Sequence, residues 1–215
     1  MALPALYTKE PLLNKDWYTE DEYFALEDRS PDRWEFLPDG PPDALGPRMG
    51  RIRAMSGGTL DHGGIGGNLV TALNVASRGA GIQTCRVFGS DVKVHPPEGR
   101  NTYPDVSVLC GKPDLYRGRN DIFTNLIFVA EVLSPSTETY DRNKKRLAYQ
   151  TIPTLRHYLL ITADRARVEL YTREEVGWHL EAYEGLKTIM PLPVLGVEVS
   201  LTDIYELVDF EQVPG

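Results

Sequence analysis

The sequence predicts a mixed α/β (α+β) fold with helices laid against a mostly β core. Three observations carry this. Leu126–Val132 (LIFVAEV) is an almost continuous apolar run, the pattern of a central strand covered on both faces. Ile65, Leu69, Leu73 and Ala76 recur at helical spacing on one face. Beyond residue 155, Arg156–Ile161, Arg167–Thr172 and Gly177–Ala182 read as a β-meander; Val168 and Leu170 alternate with Arg167 and Glu169 as in a half-buried strand. The meander either extends the core sheet or covers a subunit contact.

In chain order, residues 1–16 read as an N-terminal extension without a period. Thr19-Glu20-Asp21-Glu22 is a capping box opening a short helix with Tyr23, Phe24 and Leu26. Arg33–Leu37 reads as a strand, Pro38-Asp39-Gly40 as a turn, Pro41–Pro47 as a loop and Arg48–Met55 as a returning strand. Ser56-Gly57-Gly58-Thr59 leads into the helix carrying Ile65. Ile82–Val94 follows as a strand-like run with a break at Gly89, then Asp105–Cys110. Ser134-Pro135-Ser136-Thr137 stops the central strand and offers hydroxyls to cap a charged helix over Glu138–Gln150. Ser200-Leu201-Thr202-Asp203 caps a last helix through Leu207. The expected domain spans 17–208, with a tail at 209–215.

The chain has 215 residues, 23 Lys plus Arg and 31 Asp plus Glu, a formal charge of −8. With 41% hydrophobic and 25% charged residues it is not disordered throughout. The length suffices for one substantial core. No apolar run approaches the roughly 20 residues of a membrane helix. The first residues lack the charged-then-apolar order of an export signal, so a cytoplasmic protein is expected. Cys85 and Cys110 make no metal-ligand spacing and read as small buried hydrophobes in a reducing compartment. The acidic balance argues against gripping nucleic acid by bulk charge. It leaves room for a nuclease, whose metal site is itself a knot of carboxylates.

Glu131 is the most informative residue. Its neighbours in LIFVAEV are all apolar, and an unpaired carboxylate there costs several kcal/mol or takes up a proton. A cation, a metal or protonation must compensate it. Asp105, opening the run Pro104–Leu109, makes the same demand. Two acids at the mouths of neighbouring strands form a plausible divalent-cation site; singly, each reads as a strand-end acid facing solvent or an Arg. Asp141, Lys145 and Tyr149 recur every four residues, one stripe of the charged helix. Either Lys145 points at the carboxylates, or the stripe is a surface ion pair with an aromatic beside it. Arg142, Lys144 and Arg146 contact phosphates or form a solvated face.

Together these residues resemble the Uma-type restriction-endonuclease family of the PD-(D/E)XK nuclease superfamily. The resemblance rests on Tyr103-Pro104-Asp105-Val106, Glu131-Val132-Leu133-Ser134-Pro135-Ser136, the Asp141–Lys145–Tyr149 helix and Arg156–Ile161. Thr19–Leu26, Trp34–Gly40 and Met55-Ser56 with His62 also match, so that it covers 17–208. It implies a restriction-endonuclease-like core, a mixed β-sheet flanked by helices, and Mg²⁺-dependent hydrolysis of DNA phosphodiesters, with Mn²⁺ as substitute. Asp105 and Glu131 would then hold metal, with Glu35 a further ligand and Asp91 and His62 secondary candidates. The superfamily lysine two residues after the glutamate is Leu133 here, and the resemblance moves that role to Lys145. The competing expectation is a non-catalytic nucleic-acid-binding or regulatory protein keeping the nuclease fold; a third reading makes the acids and Lys145 a buried ion-pair network. Two-fold assemblies being commonest, a homodimer is expected.

Overall fold

The computed structural model describes residues 15–40, 49–55 and 57–210. The loop expected at Pro41–Pro47, residues 1–14 of the extension and residues 211–215 of the tail lie outside the described residues. Contacts divide the chain into two compact units, 1–55 and 56–215.

In the first unit, helix α1 (Glu20–Glu27) begins at the predicted capping box. The Thr19 hydroxyl accepts the Glu22 N–H, and the Glu22 carboxylate accepts the Thr19 N–H. This exchange satisfies two donors the helix start would otherwise leave unpaired. Strands β1 (Trp34–Leu37) and β2 (Arg51–Ala54) form an antiparallel pair. Tyr23 packs its ring on Phe24 and Phe36, centroids 5.0 and 5.5 Å away. Gly50 lets the chain pass close: a Cβ there would stand 2.5 Å from the Phe36 ring.

The second unit is built on a six-stranded sheet. Its strands are β3 (Cys85–Phe88), β5 (Val106–Cys110), β7 (Phe128–Leu133), β8 (His157–Thr162), β9 (Arg167–Arg173) and β10 (Trp178–Glu184). The order is β10-β9-β8-β7-β5-β3, with β7 and β8 parallel and the other pairs antiparallel. The sheet is mixed, as the sequence predicts, and the meander extends it. The apolar run becomes β7, interior and buried at all six positions. Gly89 marks the predicted break: beyond it β4 (Lys93–Val94) leaves the sheet and pairs with β6 (Ile122–Phe123).

Alternation along β7 sends Phe128, Ala130 and Val132 to one face and Val129, Glu131 and Leu133 to the other. The first face packs against helix α2 (Leu60–Gly79) through Ile65, Leu69 and Leu73. It also packs against a hairpin of β11 (Ile189–Leu192) and β12 (Val197–Ser200), and against helix α5 (Leu201–Ile204). The hairpin is absent from the sequence reading, because Pro191 and Pro193 punctuate it as a loop would be punctuated.

The Glu131 face is covered by the helical segment 138–150 connecting parallel β7 and β8. It consists of α3 (Glu138–Tyr140), a π-helical turn Asp141–Lys145 and α4 (Arg146–Gln150). The Ser/Thr cap expected before it works differently. The Ser134 hydroxyl bonds those of Ser136 and Thr137, while the Thr137 and Glu138 N–H groups go to the Ser134 carbonyl.

The cysteine expectation is corrected. Cys85 and Cys110 are directly opposite on β3 and β5, half-buried, and joined as a disulfide. Register, which residue spacing does not disclose, brings them together.

Candidate active site

The second unit gathers its acids by sheet register. The last pair between β5 and β7 is Val106↔Ala130. One step further, Asp105 stands across from Glu131 on the same side of the sheet, because directly opposed residues share a face. Pro104 supplies no N–H, and the ladder ends there. The Asp105 carboxylate takes the place of the missing strand, its Oδ2 accepting the Val132 N–H at 2.7 Å. That oxygen also lies 3.4 Å from His62 Nε2. Helix α2, capped by the Thr59 hydroxyl on the His62 N–H, carries this imidazole in its first turn.

Glu131 is 2% exposed and meets its compensation from the covering helix. Lys145 Nζ lies 2.8 Å from Glu131 Oε1, and the Tyr149 hydroxyl donates to the same oxygen at 3.0 Å. Lys145 also donates to the Tyr103 carbonyl at 3.3 Å, so one ammonium ties the helix to the chain entering Asp105. Asp141, Lys145, Ala148 and Tyr149 are the buried positions of the segment. The predicted stripe is therefore its inner face. The π turn widens the helix locally and keeps Asp141 and Lys145 both inward at a spacing of four. Tyr158, beneath on β8, donates to the Asp141 carbonyl at 3.0 Å.

The electrostatics sort the two acids. Burial pushes the Glu131 carboxyl well above the usual carboxylate range; Lys145 opposes this, while Asp105 and Asp141 add to it. Burial also acts on Asp105, but the hydrogen bond from His62, the field of Lys145 and the Val132 N–H outweigh it and hold that carboxyl low. His62 is raised by its hydrogen bond to Asp105 against the effect of burial.

Residues 20–203 match the model of the Uma2 family, described as "Putative restriction endonuclease". The chain belongs to the Uma2 family. Two proteins of Synechocystis sp. (strain ATCC 27184 / PCC 6803 / Kazusa) are similar to it. "Uncharacterized protein slr1290" is 32% identical over 187 residues, 86% of this chain and 90% of that protein. "Uncharacterized protein sll1609" is 31% identical over 156 residues, 72% of this chain and 80% of that protein. The crystal structure of a putative nuclease belonging to DUF820 from Anabaena variabilis ATCC 29413 shares the fold. Its TM-score is 0.66 at 18% identity, covering 89% of this chain and 99% of that one.

In this Uma2 chain the remaining candidates belong to other elements or other faces of the helix. Glu35, in the first unit, is buried on β1 with its carboxylate against Arg53, its cross-strand neighbour. Asp91 occupies the exposed turn between β3 and β4. Arg142 is held by Glu138 at 2.7 Å and by Glu169 of β9. Arg146 bonds the Arg142 carbonyl at 2.8 Å and lies 5.1 Å from the centre of the Tyr171 ring. Lys144 is exposed. Sequence reasoning missed Tyr103, Tyr158 and Glu169. Glu169 gave no signal, because it alternates with Val168 and Leu170 as a solvent-facing residue would; the structure buries it in the same row as Glu131 through Leu160.

No described helix is long and apolar enough to cross a membrane.

Proposed function

We propose that this Uma2 protein is a divalent-metal-dependent DNA endonuclease acting through Asp105, Glu131 and Lys145. The observation supporting it is the opposition of Asp105 and Glu131 on one sheet face, with Lys145 Nζ 2.8 Å from the Glu131 carboxylate. The donor set fits Mg²⁺ or Mn²⁺: two hard carboxylates whose mutual repulsion a dication relieves. Among the described residues no group of three or more His, Cys, Asp and Glu gathers to hold a metal. When bound, the metal lowers the pKa of water and neutralises phosphate charge.

The chain's own residues do the rest. The Val132 N–H and His62 keep Asp105 ionised and aimed. Tyr149 and Lys145 fix the Glu131 carboxylate, and the Lys145 ammonium stabilises negative charge developing on the phosphate. Lys144, on the outer side of the helix, is available to the DNA backbone.

One observation favours a different reading. Lys145 and Tyr149 already compensate Glu131, which is what a structural ion-pair network in a non-catalytic nuclease fold would show. Nicking of supercoiled plasmid with Mg²⁺ or Mn²⁺, wild type beside Glu131→Ala from parallel purifications, separates the two. The nuclease reading expects cleavage by the wild type alone. It also expects Mn²⁺ to raise the Tm of the wild type and not of Asp105→Asn, since an ion binding only the folded state stabilises it. Equal cleavage by wild type and Glu131→Ala, or none by either with no Mn²⁺ shift, sinks it.

A further inference from the structure

Strand β10 ends the six-stranded sheet, paired with β9 on one side and, among the described residues, with no strand on the other. It is seven residues long and keeps unbroken register with β9, from Trp178↔Arg173 to Glu184↔Arg167. Residues 179–182 are all exposed. Of the devices that usually blunt a sheet edge, WHLEAYE has no Pro, no Lys and no bulge; its charges are Glu181 and Glu184. The opposite edge, β3, has only four residues.

From this geometry we infer that two copies of the chain join antiparallel along β10, with the two-fold axis at Leu180. Directly opposed residues of an antiparallel pair share a face, so the axis must fall on a residue. At Leu180 it sets His179 of each copy against Glu181 of the other, and Trp178 against Ala182, each twice. A ring N–H meets a carboxylate that can accept it, and large meets small. The Tyr183 hydroxyl, 2.6 Å from Glu181 Oε2, steadies that carboxylate on the face it shares with His179. Moving the axis to Glu181 opposes two carboxylates, and moving it to His179 opposes two imidazoles. Complementarity within a single strand is what identifies a second copy as the occupant.

Such an axis stands perpendicular to the sheet at β10, so the two copies share a face where they join. β7 lies three strands from β10, and a twist of about 20–25° per strand turns the two Glu131 rows away from each other over the seven spacings between them. The association does not rest on the nuclease reading.

Sedimentation equilibrium of the full chain, without DNA or metal, tests the inference on wild type, His179→Glu, the swap His179→Glu with Glu181→His, and Leu180→Lys. The wild type should sediment as a dimer. His179→Glu, which opposes four carboxylates in two pairs, should raise the dimer Kd about tenfold or more, and the swap should bring it back to within about threefold. Leu180→Lys, opposing two ammonium groups at the axis, should also dissociate the dimer. These positions are exposed, so circular dichroism of the variants should match wild type, and their melts should fall only by the stability that association lends. A monomeric wild type, or a dimer indifferent to both His179→Glu and Leu180→Lys, overturns the inference and leaves the nuclease reading untouched. Failure of plasmid nicking with the dimer intact does the reverse.

Discussion

Replacing Lys145 with Met tests the pairing at the centre of the site. Methionine keeps most of the apolar stem and removes the charge. The Lys145 and Glu131 side chains are 7% and 3% exposed, 2.8 Å apart. At an effective dielectric near 20 the gross attraction is about 6 kcal/mol, much of it offset by the cost of burying both charges. Removing one partner leaves Glu131 with the Tyr149 hydroxyl alone, and about 3–5 kcal/mol of stability should be lost. Glu131 has a partial escape. Burial already raises its carboxyl, and loss of the ammonium raises it further. In the variant the folded state then keeps a proton that the unfolded state releases above about pH 4.3, so stability falls as pH rises through that window. Urea melts of wild type, Lys145→Met, Glu131→Gln and the double variant, at pH 5 and pH 8, read both effects. The Lys145→Met deficit should be larger at pH 8, and the double variant should recover at least half of it. Additivity within about 0.5 kcal/mol, or a deficit equal at both pH values, would refute the pairing.

Two further outcomes follow from residues outside the site. His157 is fully buried, its Nδ1 3.2 Å from the Thr172 hydroxyl and its Nε2 without a partner, and burial pushes its pKa down to about 4. The unfolded imidazole takes a proton below about pH 6.5 while the folded one does not, so stability should fall between pH 6.5 and 4, by at most about 3 kcal/mol. His157→Asn should flatten the acid limb of a stability–pH curve measured by urea melts; an unchanged limb contradicts the assignment. The Cys85–Cys110 bond closes a loop with a sequence separation of 25. Reduction should cost about 3 kcal/mol and lower the calorimetric Tm by roughly 6–12 °C, and an identical Tm with reductant would show the pair is not joined.

What the sequence disclosed depended on how local the physics was. The Thr19–Glu22 capping box is a matter of neighbouring residues, and the structure forms both of its hydrogen bonds. Glu131 stood out because six apolar neighbours made one charge conspicuous, and Asp141, Lys145 and Tyr149 because four-residue spacing is a helical stripe. The rest needed register. Asp105 reaches Glu131 only because β5 and β7 pair at Val106↔Ala130, and Cys85 reaches Cys110 through the pairing of β3 with β5. His62 lies among Gly57, Gly58, Gly63 and Gly64, which carry little helix signal, yet Thr59 caps a helix that starts at Leu60. The π turn has no signature in the residues themselves.

If Lys145 takes the role proposed for it, fold and site depend on each other. Position 133, where the superfamily carries its lysine, is on the same face as Glu131, but Leu133 is buried there among Leu126, Val129 and Tyr149. A cation at 133 would have to reach out from under the helix that covers this face. Lys145 supplies the charge from above instead, and does so only when the helix is docked. The same docking buries Tyr149 and sets Arg142 on Glu169, in the same sheet row as Glu131. Loosening the helix therefore dissolves the cation side of the site together with part of the core. Loss of activity in a variant of this helix cannot by itself separate chemistry from folding. The double variant of Glu131 and Lys145 can, because it removes both charges of the pair while leaving the buried Ala148 and Tyr149 that pack the helix.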